Sequence, residues 1–166
     1  MIKPLTQGDR ATILRLLRDT DMFTEAEIAV AEEQLDIVLN QPGQKDYDIV
    51  VIMDDDVVVH DDDGRVAGYL SWGPTPLTEG TYDMYWMAVA PDKQGRGYGK
   101  RLVGWLEERV RSEKGRLVVI ETSSLPKYNP TRKFYLGLGY KETARIPDFY
   151  KPGDARVIYT KYLNQE

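Results

Sequence analysis

The sequence predicts a single α/β domain, residues 1–166, built on a mixed sheet. Three observations carry that expectation. Apolar runs switch between strand and helix spacing in the order βααβββαβαββ. A glycine-rich loop, residues 94–100, joins a strand to a helix, and residues 117–120 form a wholly apolar run fitting a strand buried on both faces.

The elements follow in order. Residues 2–5 read as a short strand, and Asp9 can cap a helix carrying Ile13, Leu14, Leu16 and Leu17. Thr24 with Glu27 fits the S/T-x-x-E capping box. Behind it Ile28, Ala31, Leu35, Val38 and Leu39 recur at helical spacing until Pro42 and Gly43. Residues 49–53 and 57–59 are β-branched runs separated by Asp54, Asp55 and Asp56, and Asp63-Gly64 reads as a turn into a strand over 66–70. Residues 81–90 form a long strand-like run closed by Pro91. A helix then starts near Gly97, with Leu102, Leu106 and Val110 on one stripe, and Gly115 ends it. Pro130 suits the first turn of a helix through Phe134 and Tyr135, and strands are expected over 140–146 and 156–162.

Composition excludes several classes. No apolar run approaches the roughly 20 residues of a membrane span, and the N-terminus lacks an apolar signal core, so the expected location is cytoplasmic. With no cysteine there is neither a disulfide framework nor a thiolate nucleophile or zinc ligand. The net charge is −5, unevenly placed: residues 1–80 hold 6 Lys+Arg against 17 Asp+Glu, and the remainder 16 against 10. A basic second half suits a polyanionic small ligand, and an acidic first half a cationic one. Neither nucleic acid nor membrane is an expected partner.

The loop Gln94, Gly95, Arg96, Gly97, Tyr98, Gly99, Lys100 is the most informative stretch. Glycines at a helix N-terminus let several N–H groups converge on one point, where the helix dipole also favours an anion. Arg96, Lys100 and Arg101 add charge where a pyrophosphate would lie. Gln94 and Arg101 break a Walker A loop, and Lys100 stands where a dinucleotide fingerprint or a kinase loop needs glycine.

With Gln94, Gly97 and Gly99 meeting Q/R-x-x-G-x-G/A behind the strand that ends at Ala90, the chain resembles the GNAT superfamily of acetyltransferases. The run 148–154 also resembles the tail of the bacterial protein N-terminal acetyltransferases. The resemblance implies a mostly antiparallel sheet of six to seven strands with about four helices. It implies acetyl-CoA as co-substrate, with no metal, bound by Met87, Ala88, Val89 and the loop 94–100, the Val89 N–H polarising the thioester carbonyl. The asparagine that the family carries seven residues before its tyrosine is here Tyr128, which leaves Asn129, one residue later, for the pantetheine contact.

Acetyl transfer to an amine needs a base, an oxyanion donor and an acid for the departing thiolate. The resemblance makes Tyr135 the acid. Two carboxylates compete for the base: Glu121, which ends the apolar run and is costly to bury without a purpose, and Asp83. Strand alternation puts Asp83, Tyr85, Met87 and Val89 on one face. The acceptor is expected to be a cationic primary amine of a small metabolite, an amino acid or a protein N-terminus. The other reading is a non-catalytic acyl-CoA-binding module; a monomer and a homodimer both fit. The sole histidine, His60, lies with Asp54–56 and Asp61–63 in what reads as a solvated acidic hairpin rather than a metal loop. Tyr69, Trp72, Tyr85 and Trp86 fit either an acceptor pocket or a packed sheet.

Overall fold

The computed structural model describes residues 1–56 and 65–163. Its elements are β1 (Ile2–Pro4), α1 (Arg10–Asp19), α2 (Glu25–Asn40), β2 (Asp48–Met53), β3 (Val66–Pro74), β4 (Thr81–Val89), α3 (Tyr98–Ser112), β5 (Leu117–Ser123), α4 (Asn129–Gly137), β6 (Lys141–Lys151) and β7 (Asp154–Tyr162). Among the described residues the sheet has seven strands in the order β1-β2-β3-β4-β5-β7-β6. The β4/β5 pair is parallel, as a helical crossover allows, and the pairs β1/β2, β2/β3, β5/β7 and β6/β7 are antiparallel. The β-branched run 57–59, the Asp63-Gly64 turn and His60 lie outside the described residues.

The chain divides into two compact units. The first comprises Met1–Gly73 with Trp86–Leu106. Its core joins Ile13, Leu14, Leu16 and Leu17 of α1 and Ile28, Ala31 and Leu35 of α2 to Ile49, Val51 and Met53 of β2. The Thr24–Glu27 capping box forms, with the Thr24 hydroxyl accepting from the Glu27 N–H and the Glu27 carboxylate accepting from the Thr24 N–H. Asp9 caps differently from the expectation. Its carboxylate reaches back to the Thr6 N–H at 2.9 Å and the Lys3 ammonium at 2.9 Å. It therefore closes a short 3-10 turn ahead of α1, because the local turn and a nearby cation offer it better partners than the N–H groups of α1.

The second unit comprises Pro74–Tyr85 with the chain from Glu107 onward. Val118, Ile120, Val157, Tyr159, Tyr135 and Tyr140 are buried there. Gly115 admits no side chain: a Cβ would stand 2.4 Å from Val110 Cγ1 and 2.6 Å from the Tyr82 ring. β6 runs to Lys151, five residues beyond the expected end, and is exposed along its whole length. Hydrogen bonding to β7, not burial, makes it a strand, so apolar alternation could not reveal its extent.

Candidate active site

In the first unit the end of β4 and the loop behind it hold the expected phosphate-binding elements. Ala88 is buried and Met87 and Val89 half-buried, as alternation requires. β3 comes so close at Gly68 that a Cβ there would lie 2.6 Å from the Ala88 carbonyl oxygen, which only glycine permits. The Gln94 side-chain amide donates to the Val89 carbonyl at 3.2 Å and ties the start of the loop to the strand. Gly95 and Gly97 take φ values of 76° and 85°, left-handed conformations that glycine adopts without strain. A Cβ at either would meet nothing within 4 Å, so conformation and not crowding selects glycine, and the space beside the loop is open. The Arg101 N–H closes the first turn of α3 on the Gly97 carbonyl. The N–H groups of Tyr98, Gly99 and Lys100 thus have no carbonyl upstream within the helix, which is the arrangement that holds an anion. Arg96 and Lys100 are exposed beside them.

Three residues under this loop correct the sequence reading. Asp54 is not part of a solvated acidic run: it is fully buried, accepting from Lys93 Nζ at 2.6 Å, the Tyr98 hydroxyl at 2.8 Å and the Asp56 N–H at 3.1 Å. These bonds, Lys93 first and Tyr98 second, hold its carboxyl well below the usual carboxylate range. The Tyr98 side chain is turned inward and its hydroxyl is pushed up by the bond to Asp54, which leaves its backbone N–H as the group able to meet a cofactor. Nothing in the sequence marks Lys93 for this role, since a lysine before a loop reads as surface charge. Tyr69 and Trp72 are buried in the first unit, which settles them as core, and Trp86 packs edge-on against Phe23 at 5.4 Å.

The second unit carries the acid–base candidates. Tyr135 is buried with ring centroids 6.0 Å from Tyr159 and 6.1 Å from Tyr140, and burial pushes its hydroxyl well above the ordinary range. Tyr159, Val157 and Ile120 share that face of the β5/β7 pair. Glu121 projects from the opposite face. It is not buried, contrary to the expectation, because Arg156 reaches diagonally across from β7 and pairs with it while lying over the Phe149 ring at 4.8 Å. Asp83, in register with Val119, stands on the same face as Glu121 and accepts from the Thr75 hydroxyl at 2.6 Å. Asn129 opens α4, and its side-chain oxygen is taken by Arg132, whose guanidinium also donates to the Ser123 carbonyl at 2.6 Å. Arg156 and Thr75 had no signal in the sequence, since only strand register brings them to the two carboxylates. Among the described residues no group of three or more His, Cys, Asp or Glu side chains could hold a metal ion.

The model of the acetyltransferase (GNAT) domain matches residues 49–142, more than half of the chain, from β2 to the start of β6 with the glycine loop inside. This chain belongs to the GNAT acetyltransferase family. A solved structure assigned to the GNAT family, from Desulfovibrio desulfuricans, shares 37% identity over 98% of both chains with a TM-score of 0.88. A curated relative, the S-(2-succino)cysteine N-acetyltransferase of Bacillus subtilis (strain 168), is 27% identical over 116 residues, 68% of this chain. The match spans 64% of that relative's own length. The GNAT fold is also shared with Arabidopsis thaliana NAA60 in complex with acetyl-CoA, at 15% identity, 99% coverage of both chains and a TM-score of 0.77. Among the described residues, the seven-stranded, mostly antiparallel sheet and four helices agree with the fold expected from the resemblance. Among the described residues no helix is long and apolar enough to cross a membrane.

Proposed function

We propose that this GNAT protein is a single catalytic domain that transfers the acetyl group of acetyl-CoA to a primary amine by direct attack. The observation that carries the reading is the glycine loop: two left-handed glycines and the N–H groups of the first turn of α3, which have no helical carbonyl ahead of them, flanked by exposed Arg96 and Lys100. They suit the pyrophosphate of CoA. Met87 and Val89 offer backbone groups to the pantetheine arm, and the Val89 N–H polarises the thioester carbonyl. The amine forms the new C–N bond as the C–S bond breaks. Its proton passes to Glu121 or Asp83, directly or through water, and Tyr135 gives its proton to the thiolate. Tyr135 holds its proton at neutral pH, the state an acid needs, while burial makes that proton harder to give up. Glu121 serves as base once Arg156 lets go of it; Asp83 accepts from the Thr75 hydroxyl and offers the second route.

The acceptor is the amine of a small metabolite, an amino acid or a protein N-terminus. The cysteine-derived acceptor named for the Bacillus relative puts amino acids first in a screen. The test compares acetyl-CoA, CoA, ATP and NAD in thermal unfolding, followed by thiol release with an amine panel. A ligand at 100 times its Kd adds about 2.7 kcal/mol of stability, which raises Tm by roughly 5–10 °C for a chain of this size. A rise with acetyl-CoA and CoA alone, with amine-dependent thiol release, supports the reading. A rise with ATP or NAD and none with CoA refutes it, and CoA binding with no turnover across the panel leaves an acyl-CoA-binding module.

A further inference from the structure

We infer that Asp54 is the positioning residue of the CoA loop, a buried carboxylate that clamps both ends of the glycine turn and so sets the aim of its N–H groups. The inference rests on the acetyl-CoA reading of that loop. Lys93 and Tyr98 are the residues just before and just after the span 94–97, and both bind the same side chain, at 2.6 Å and 2.8 Å. Asp54 has no exposed surface, and Lys93 and Tyr98 are 7% and 5% exposed, so water does not compete for these bonds.

The span between them needs such a clamp. Two of its four residues are glycines, whose freedom makes an ordered loop entropically costly, and neither glycine has a neighbour within 4 Å of its Cβ position to restrain it. Ordering the loop before the ligand arrives lowers the cost of binding. A buried ion pair is a poor stabiliser compared with apolar packing, so its placement here is better accounted for by the loop than by the core. The network also sorts the local cations. Lys93 is neutralised within it, Arg101 is drawn to Asp55 at 3.5 Å, and Arg96 stands 4.0 Å from Asp54 with its side chain 56% exposed. Arg96 and Lys100 are left for the pyrophosphate, and Tyr98, pinned by its hydroxyl, fixes the first turn of α3.

The test is calorimetric titration of CoA into the full chain and its Tyr98→Phe and Asp54→Asn variants. Tyr98→Phe keeps the ring and removes one hydroxyl, so it keeps the test open should Asp54→Asn fail to fold. The expected result is a Kd raised roughly tenfold in either variant, the scale of one charge-assisted hydrogen bond's loss, at unchanged stoichiometry. A merely structural role would lower the bound fraction and leave Kd alone; that pattern, or a Kd equal to that of the unsubstituted chain, overturns the inference. Absence of CoA binding by the unsubstituted chain removes the proposed function and this inference together, an outcome distinct from binding that the variants do not alter.

Discussion

At the scale of single residues, the tyrosines show how environment divides one side-chain type into several roles. Tyr98 donates a hydrogen bond to a buried carboxylate and is anchored by it, whereas Tyr135 stands in an aromatic cluster that desolvates its hydroxyl. Burial raises Tyr135 above its ordinary value of 10.0, and in the proposed role of acid it acts while protonated. The rate therefore should show no loss from this group as pH rises to about 10. A descending limb centred below pH 9 that Tyr135→Phe abolishes would rule Tyr135 out as an acid with a raised pKa. The same substitution should lower kcat by about 10²–10⁴-fold at unchanged Kd for CoA, read by thiol release and calorimetry. Both residues stand out in the sequence, Tyr135 as the acid that the resemblance implies, but the anchoring of Tyr98 does not. Tyr98 sits inside the motif and reads as a ligand contact until its buried partner 44 positions away is known.

At the scale of elements, local signals identified most of the helices and strands. The capping box at Thr24 is complete, and its loss has a calculable cost. Thr24→Ala should destabilise the chain by about 1 kcal/mol, lowering Tm by roughly 2–4 °C, with affinity for CoA unchanged because α2 carries no loop residue. A fall in CoA affinity at this substitution would mean that α2 also shapes the site. The apolar stripe of α3 was equally legible: Leu102, Leu106 and Val110 are all fully buried. Truncating Leu102 to alanine should cost about 2–5 kcal/mol, measured by denaturant unfolding. β6 was legible only in part. An edge strand exposed on both faces has no buried residues to repeat, so its last five residues carried no periodic signal.

For the whole molecule, charge is the property that the sequence states and the structure redistributes. In the sequence the acidic run that begins at Asp54 reads as solvated, yet Asp54 is buried and paired. Its folded-state pKa lies below the ordinary 3.8, so its stabilising effect is present above that value and is lost as pH falls through the lower folded value. In acid titration of unfolding, Asp54→Asn should be less stable than the unsubstituted chain at pH 7. The gap should close as pH drops below about 4. A gap independent of pH down to 2 would show that the carboxylate's charge is not what stabilises it. The sequence by itself determined the order of elements, the glycine loop at a helix start, and the family, because periodicity, capping and motif spacing are properties of neighbouring residues. Only the tertiary structure decided which carboxylates are buried, that Arg156 holds Glu121, and that Lys93 and Tyr98 share Asp54. Those facts depend on strand register and on contacts between residues more than 30 positions apart, and a linear pattern does not encode them.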